Sequence, residues 1–192
     1  MKKLNLIIAA ACAVLAMQAC KNNSKAGTGD STTTTTTDVT ATDSTKIAKV
    51  DTGDAAFAMK AAAGGMTEIA FSKVAAQQAT SQKIKDFANM MVTDHSAAGD
   101  KLSAIAKAKG IALPMSLDSA TQNMISDMSK KTGKDFDKAY VDKMVKDHEA
   151  TLDMFKKEET MVKDTALKGF ITSTIPVVQK HLDAIKAIKS GM

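Results

Sequence analysis

The chain has 192 residues, 26 basic against 21 acidic, and a net charge of +5. Every basic residue is lysine, Trp is absent and there is one Tyr, which sets nucleic acid aside as a partner, because readers of base and phosphate lean on arginine forks and aromatic stacking. Cys12 and Cys20 are the two cysteines; if the first leaves with a leader, no disulfide can form within one molecule and an apolar core must hold the fold.

The leader is the first element. Lys2 and Lys3 precede an apolar run from Leu4 to Met17, and the small Ala19 stands before Cys20. That run is shorter than the roughly 20 residues of a membrane span, so residues 1–19 read as a secretory signal peptide. Its end, Met-Gln-Ala-Cys, resembles the bacterial lipobox, in which cleavage precedes a cysteine that takes the lipid. Cys20 is the expected lipidation site. A lipid-anchored protein of the cell envelope follows, with the outer membrane as its expected place and the periplasmic or surface face left open. Residues 20–53, with Lys21 and Asn22 and then a run of Thr, Ser, Asp and Gly, hold too little apolar surface to order themselves and read as a tether.

From Asp54 onward the apolar spacing is helical. The pattern predicts helices over about Asp54–Ala79 and Ser81–Lys109, the latter closed by Gly110. A loop containing Pro114 follows, then a short helix over about Ser119–Lys131 ending at Gly133, and helices over about Asp135–Val162 and Thr165–Ser190. No stretch alternates with period two. The expected fold is all-α, an antiparallel four-helix bundle over residues 54–190 with one short extra helix.

Each long helix places one polar, ligand-capable residue on its apolar stripe: Glu68, His95, His148 and His181. The chain has three histidines, and two of them close the repeated phrase Met-Val-x-Asp-His, at Met91–His95 and Met144–His148, 53 residues apart. Buried alone, such groups lose their hydration, so they must be satisfied together. One solution is a metal ion, Fe, Mn, Zn or Cu, since imidazole and carboxylate suit these and bundle cores commonly house them. Asp94 and Asp147, about 100° round the helix from their histidines, are further candidates. Each would act as an oxygen ligand or as hydrogen-bond partner of an imidazole on another helix. The other solution is a hydrogen-bonded network without an ion that fixes helix register. Tyr140, two turns before His148, is a candidate for the outer shell of the site. Pro176 removes one helical hydrogen bond five residues before His181 and predicts a kink. The many methionines fall mostly on apolar stripes and read as core filling rather than as Cu(I) ligands.

The segments GGMTEIAFSKVA (Gly64–Ala75), FANMMVTDH (Phe87–His95), DKAYVDKMVKDHEATLDMF (Asp137–Phe155) and IPVVQKHL (Ile175–Leu182) together resemble the bacterial family known as domain of unknown function 4142. Its members are often labelled predicted outer membrane proteins and grouped with the ferritin-like superfamily. The resemblance implies a ferritin-like bundle in the envelope, with Glu68, Asp94, His95, Tyr140, His148 and His181 as recurring polar positions, and no assigned activity. It departs from true ferritins, whose di-iron site uses Glu-x-x-His, because Val92 and Val145 stand three residues before the two histidines. Two functions stay open: an envelope lipoprotein whose core binds a metal for metal handling or redox protection, and a non-catalytic structural, interaction or stress-related module with a metal-free polar core.

Overall fold

The computed structural model describes residues 50–192; the expected signal peptide, Cys20 and the tether up to residue 49 lie outside them. Five helices account for the fold: α1 Thr52–Gln78, α2 Gln82–Lys109, α3 Ser119–Ser129, α4 Gly133–Met161 and α5 Thr165–Ser190. No described helix is long and apolar enough to cross a membrane.

The helix ends follow from local chemistry. The Asp51 carboxylate accepts from the Gly53 N–H ahead of α1, Asp118 from Thr121 ahead of α3, and Asp164 from Ala166 and Leu167 ahead of α5; each satisfies donors that a first turn leaves free. Gly110 ends α2 in the left-handed region at φ 67°, which a residue without Cβ adopts at little cost. Gly133 also has a positive φ, 60°, yet it starts α4 two residues earlier than the sequence pattern indicated, and α3 stops two residues short of Lys131. Pro176 sits inside an unbroken α5 on an exposed face, where a freed carbonyl can take water instead.

Two buried carboxylates fix the helix directions. Asp54, at the start of α1, accepts from the N–H groups of Lys163 (3.1 Å) and Asp164 (2.7 Å), where α4 hands over to α5. Asp137, at the start of α4, accepts from Thr80 (2.9 Å) and Ser81 (3.1 Å), where α1 hands over to α2. Lys109 at the end of α2 pairs with Asp164 at 2.6 Å. The start of α1 therefore lies with the end of α2, the end of α4 and the start of α5. The long helices pack as α1 on α2, α2 on α5, α5 on α4 and α4 on α1, and each of these neighbours runs antiparallel, as expected. The diagonal pair α2 and α4 is parallel, so the segment from Gly110 to Thr132, with α3 in it, crosses from one end to the other.

The core divides into two apolar clusters. One holds Phe71, Ile84, Phe87, Met91, Phe136, Tyr140, Met144 and Ile185; the other holds Phe57, Leu102, Phe155, Leu167, Phe170 and Ile171. Along α1 and α2 the change from one cluster to the other falls at Glu68 and His95. Their neighbours His148 and His181 are fully enclosed, 0% and 1% exposed.

Candidate metal centre

The helical phase that sequence predicts is realised: all three histidines and Glu68 turn inward from four different helices, and they lie at one depth. One ligand nitrogen from each of His95, His148 and His181 can be chosen so that all three are within 4.8 Å of one another. Their ring centroids are 5.4 to 5.9 Å apart. Glu68 reaches in from α1, with Oε2 at 3.2 Å from His95 Nδ1 and Oε1 at 3.4 Å from His148 Nδ1. Phe87 sits edge-on against His148 and His181 at 6.4 Å and shields this side of the cluster.

Each imidazole has one nitrogen held and one left over. His148 Nδ1 lies 2.8 Å from the Met144 carbonyl; a carbonyl only accepts, so Nδ1 carries the proton and Nε2 keeps a bare lone pair. His181 Nε2 is 2.9 Å from Asp94 Oδ2, and His95 Nδ1 faces Glu68. The remaining atoms, His95 Nε2, His148 Nε2 and His181 Nδ1, are buried without a protein partner, as is Glu68 Oε1. Buried polar atoms seldom stay unpaired, because each forfeits its hydration. Four in one place match the donor set of a metal site, in which a second partner orients each imidazole and the free nitrogen binds the ion.

The electrostatics agree. Burial, and then the imidazoles of His181 and His148, push His95 down to about 3, with Asp94 opposing. Burial likewise takes His148 down to about 4, against the hydrogen bond to Met144. Both rings are thus neutral, the form that binds metal. Burial, with Asp147 adding to it and Lys143 opposing, pushes the Glu68 carboxyl up to about 8. Without an ion, the contact between Glu68 and His95 therefore joins a neutral acid to a neutral ring and is no salt bridge. Three nitrogens around a tetrahedral ion at about 2.1 Å stand roughly 3.4 Å apart, so the rings, with one nitrogen of each within 4.8 Å of the others, must draw closer to hold one.

The sequence candidates separate at this point. Asp94 takes the role of hydrogen-bond partner to an imidazole on another helix. Asp147 does not approach the imidazoles within hydrogen-bonding distance: its carboxylate pairs with Lys143, one turn earlier on α4, at 2.9 Å. Tyr140 is fully buried, and its hydroxyl shares a 2.9 Å hydrogen bond with Ser72 rather than with a carboxylate; burial holds it above the ordinary phenol range. It meets the cluster indirectly, through Phe87. Sequence reasoning missed Ser72, the Met144 carbonyl and the end-pinning Asp54 and Asp137. A carbonyl leaves no mark in sequence, whereas Asp54, an acid in the first turn of α1, was a visible signal; Asp137 lies past the first turn of α4.

The family model described as a domain of unknown function, DUF4142, matches residues 39–188, and the chain belongs to that family. No curated protein and no solved structure is significantly similar to it.

Proposed function

We propose that this member of the family is a lipid-anchored envelope protein whose ferritin-like bundle holds one metal ion, Fe, Mn, Zn or Cu, for metal handling or redox protection. His95, His148, His181 and Glu68 would hold the ion, and Asp94 and the Met144 carbonyl would orient two of the rings. The observation that carries this reading is the set of three buried imidazoles, each with one nitrogen fixed and one free. A single ion suits the donors better than a pair, because of the two carboxylates at the imidazoles Asp94 is engaged by His181 and Glu68 alone keeps a buried oxygen without a partner, and neither phrase supplies Glu-x-x-His. One crossover connection between parallel α2 and α4 supports the ferritin-like type. The Lys2–Lys3 start, the apolar run and the Met-Gln-Ala-Cys end support anchoring at Cys20 in the outer membrane.

A bound redox metal would supply one-electron chemistry; the chain's own groups hold, orient and shield. The hydrogen bonds of His148 and His181 favour one alternative, a metal-free polar core that sets helix register in an interaction or stress-related module. Elemental analysis of the purified protein, back-loaded with each of the four metals, decides between them. We expect about one equivalent, lost when all three histidines become Ala and retained in Cys20→Ser, which should move the protein from the membrane to the soluble fraction. No metal under any condition, with helical circular dichroism intact, would leave the register role.

A further inference from the structure

The imidazole cluster does not end in solid core. A cavity of about 360 Å³ lies over it, bounded by α1, α2, α4, α5 and the loop after α2, within the size range of small-molecule sites. Glu68, Asp94, His95 and His181 line its inner end, and there Glu68 Oε1 and His181 Nδ1 are buried without partners. Leu102, Phe155, Phe170 and Val178 form apolar walls, and Leu113 and Met115 form the outer one. Met115 is 93% exposed, an apolar side chain at the mouth with nothing covering it.

Three glycines line the space, Gly64 and Gly99 at exposed positions and Gly65 deeper. All three lie inside helices, where glycine costs about 1 kcal/mol relative to alanine. A Cβ at Gly64 or Gly99 would meet no heavy atom within 4 Å, and one at Gly65 would stop 4.0 Å from His95 Nδ1. Backbone crowding therefore explains none of them; at Gly65 a side chain would extend toward His95, and at Gly64 and Gly99 a large one would add bulk to the cavity lining.

We infer that this cavity binds a small monocarboxylate with an apolar tail, its head group on the metal and its tail between Leu102, Phe155 and Phe170. The inference rests on the metal reading above. A divalent ion held by three neutral imidazoles and the Glu68 carboxylate keeps one positive charge over its own ligands in a buried place, which is costly; Asp94 offsets it only from behind the His181 ring, and a single anionic head cancels it at the ion. Asp94, already bonded to His181 and 35% exposed, stands toward solvent. The charged side chains further along the lining, Lys60 and Asp100, are exposed at the rim, and apart from the part-buried Thr151 and Thr174 the deeper walls offer a tail mainly apolar contact.

The test uses the purified full-length protein loaded with Co(II), whose visible bands report its coordination, titrated with straight-chain carboxylates from acetate to decanoate. Affinity is expected to rise about threefold to fourfold per methylene until the cavity is full. Gly64→Leu and, separately, Gly99→Leu should abolish that gain while leaving Co(II) content and the acetate response unchanged. Stoichiometric Co(II) whose bands respond to acetate, but equally to every chain length, would overturn the inference and leave the metal site standing. If no Co(II) binds, the metal reading falls. Calorimetry of the same series on the metal-free protein then decides the tail site alone: length-dependent binding lost in both glycine variants upholds it, and its absence ends it.

Discussion

Met91–His95 and Met144–His148 write the same phrase, and their surroundings differ. In the α2 copy the pair reaches outward: His95 faces Glu68 of α1, and Asp94 bonds His181 of α5. In the α4 copy both residues make their hydrogen bond or ion pair first within their own helix, His148 to the Met144 carbonyl at 2.8 Å, with Glu68 farther off at 3.4 Å, and Asp147 to Lys143. The position four residues before the aspartate decides this. Lys143 stands there in α4 and offers an i,i+4 ion pair; in α2 that position is Met90, which offers none, so Asp94 is free to cross to another helix. Burial differs too, since the His148 side chain is 0% exposed and that of His95 is 11% exposed at the cavity edge. Identical local words therefore give the same inward direction but different partners.

The largest expected effect separates the two histidines. His148→Ala leaves a closed void in the core and should cost about 3 kcal/mol of metal-free stability, as large-to-small core changes do. His95→Ala opens onto the cavity, where water can fill the gap, and should cost about 1 kcal/mol. Urea unfolding of chelator-treated protein measures both. Equal losses would mean that the two copies are equally enclosed and that the cavity does not reach His95.

The two aspartates give the next contrast. Asp94→Asn weakens the partner that orients His181 and should lower metal affinity tenfold to a hundredfold. Asp147→Asn removes a partly exposed pair with Lys143, an interaction of a few tenths of a kcal/mol, and should leave affinity within about threefold. Competition titration against a chelator of known affinity reads both variants. A large loss in Asp147→Asn with none in Asp94→Asn would reverse the assignment of which copy serves the site.

What sequence could reveal here follows from what the helix repeat encodes. Phase along a helix is a property of spacing, so the inward turn of Glu68, His95, His148 and His181 was legible, as was the close of α2 at Gly110. Common depth is set by how helices slide past one another, and that depends on the Asp54 and Asp137 bonds to backbone N–H groups 109 and 57 residues away in sequence. The cavity was illegible for a related reason: Gly64, Gly65 and Gly99 look like weak helix positions until two helices bring them to the lining of one cavity. Asp147 was a candidate because it sits beside His148 as Asp94 sits beside His95; which of the two reaches an imidazole depends on Lys143, one turn earlier, which pairs with Asp147.

The smallest effect is a slope with pH in the metal-free protein. His95 and His148 have folded values near 3 and 4 against 6.5 in the open chain, so below pH 6.5 the unfolded state binds the extra protons. Their contribution is complete above 6.5 and is lost as pH falls, that of His148 by about pH 4 and that of His95 by about pH 3. Glu68 acts in the opposite sense. Raised from 4.5 to about 8, it holds its proton in the folded state, so its contribution is present below 4.5 and is lost as pH rises toward 8. Between 4.5 and 6.5 the two effects oppose; above 6.5 Glu68 acts alone. Glu68→Gln should therefore gain on the parent by about 1.4 kcal/mol per pH unit across that window and lose the decline above pH 6.5. His148→Gln and His95→Gln should each flatten the acid side by one proton, the second levelling off about one unit sooner as pH falls because the remaining His148 titrates near 4 and His95 near 3. A Glu68→Gln curve that stays parallel to the parent from pH 5 to 8 would show that the acid is ionised without metal, and that the α2 copy of the phrase is held by a true salt bridge.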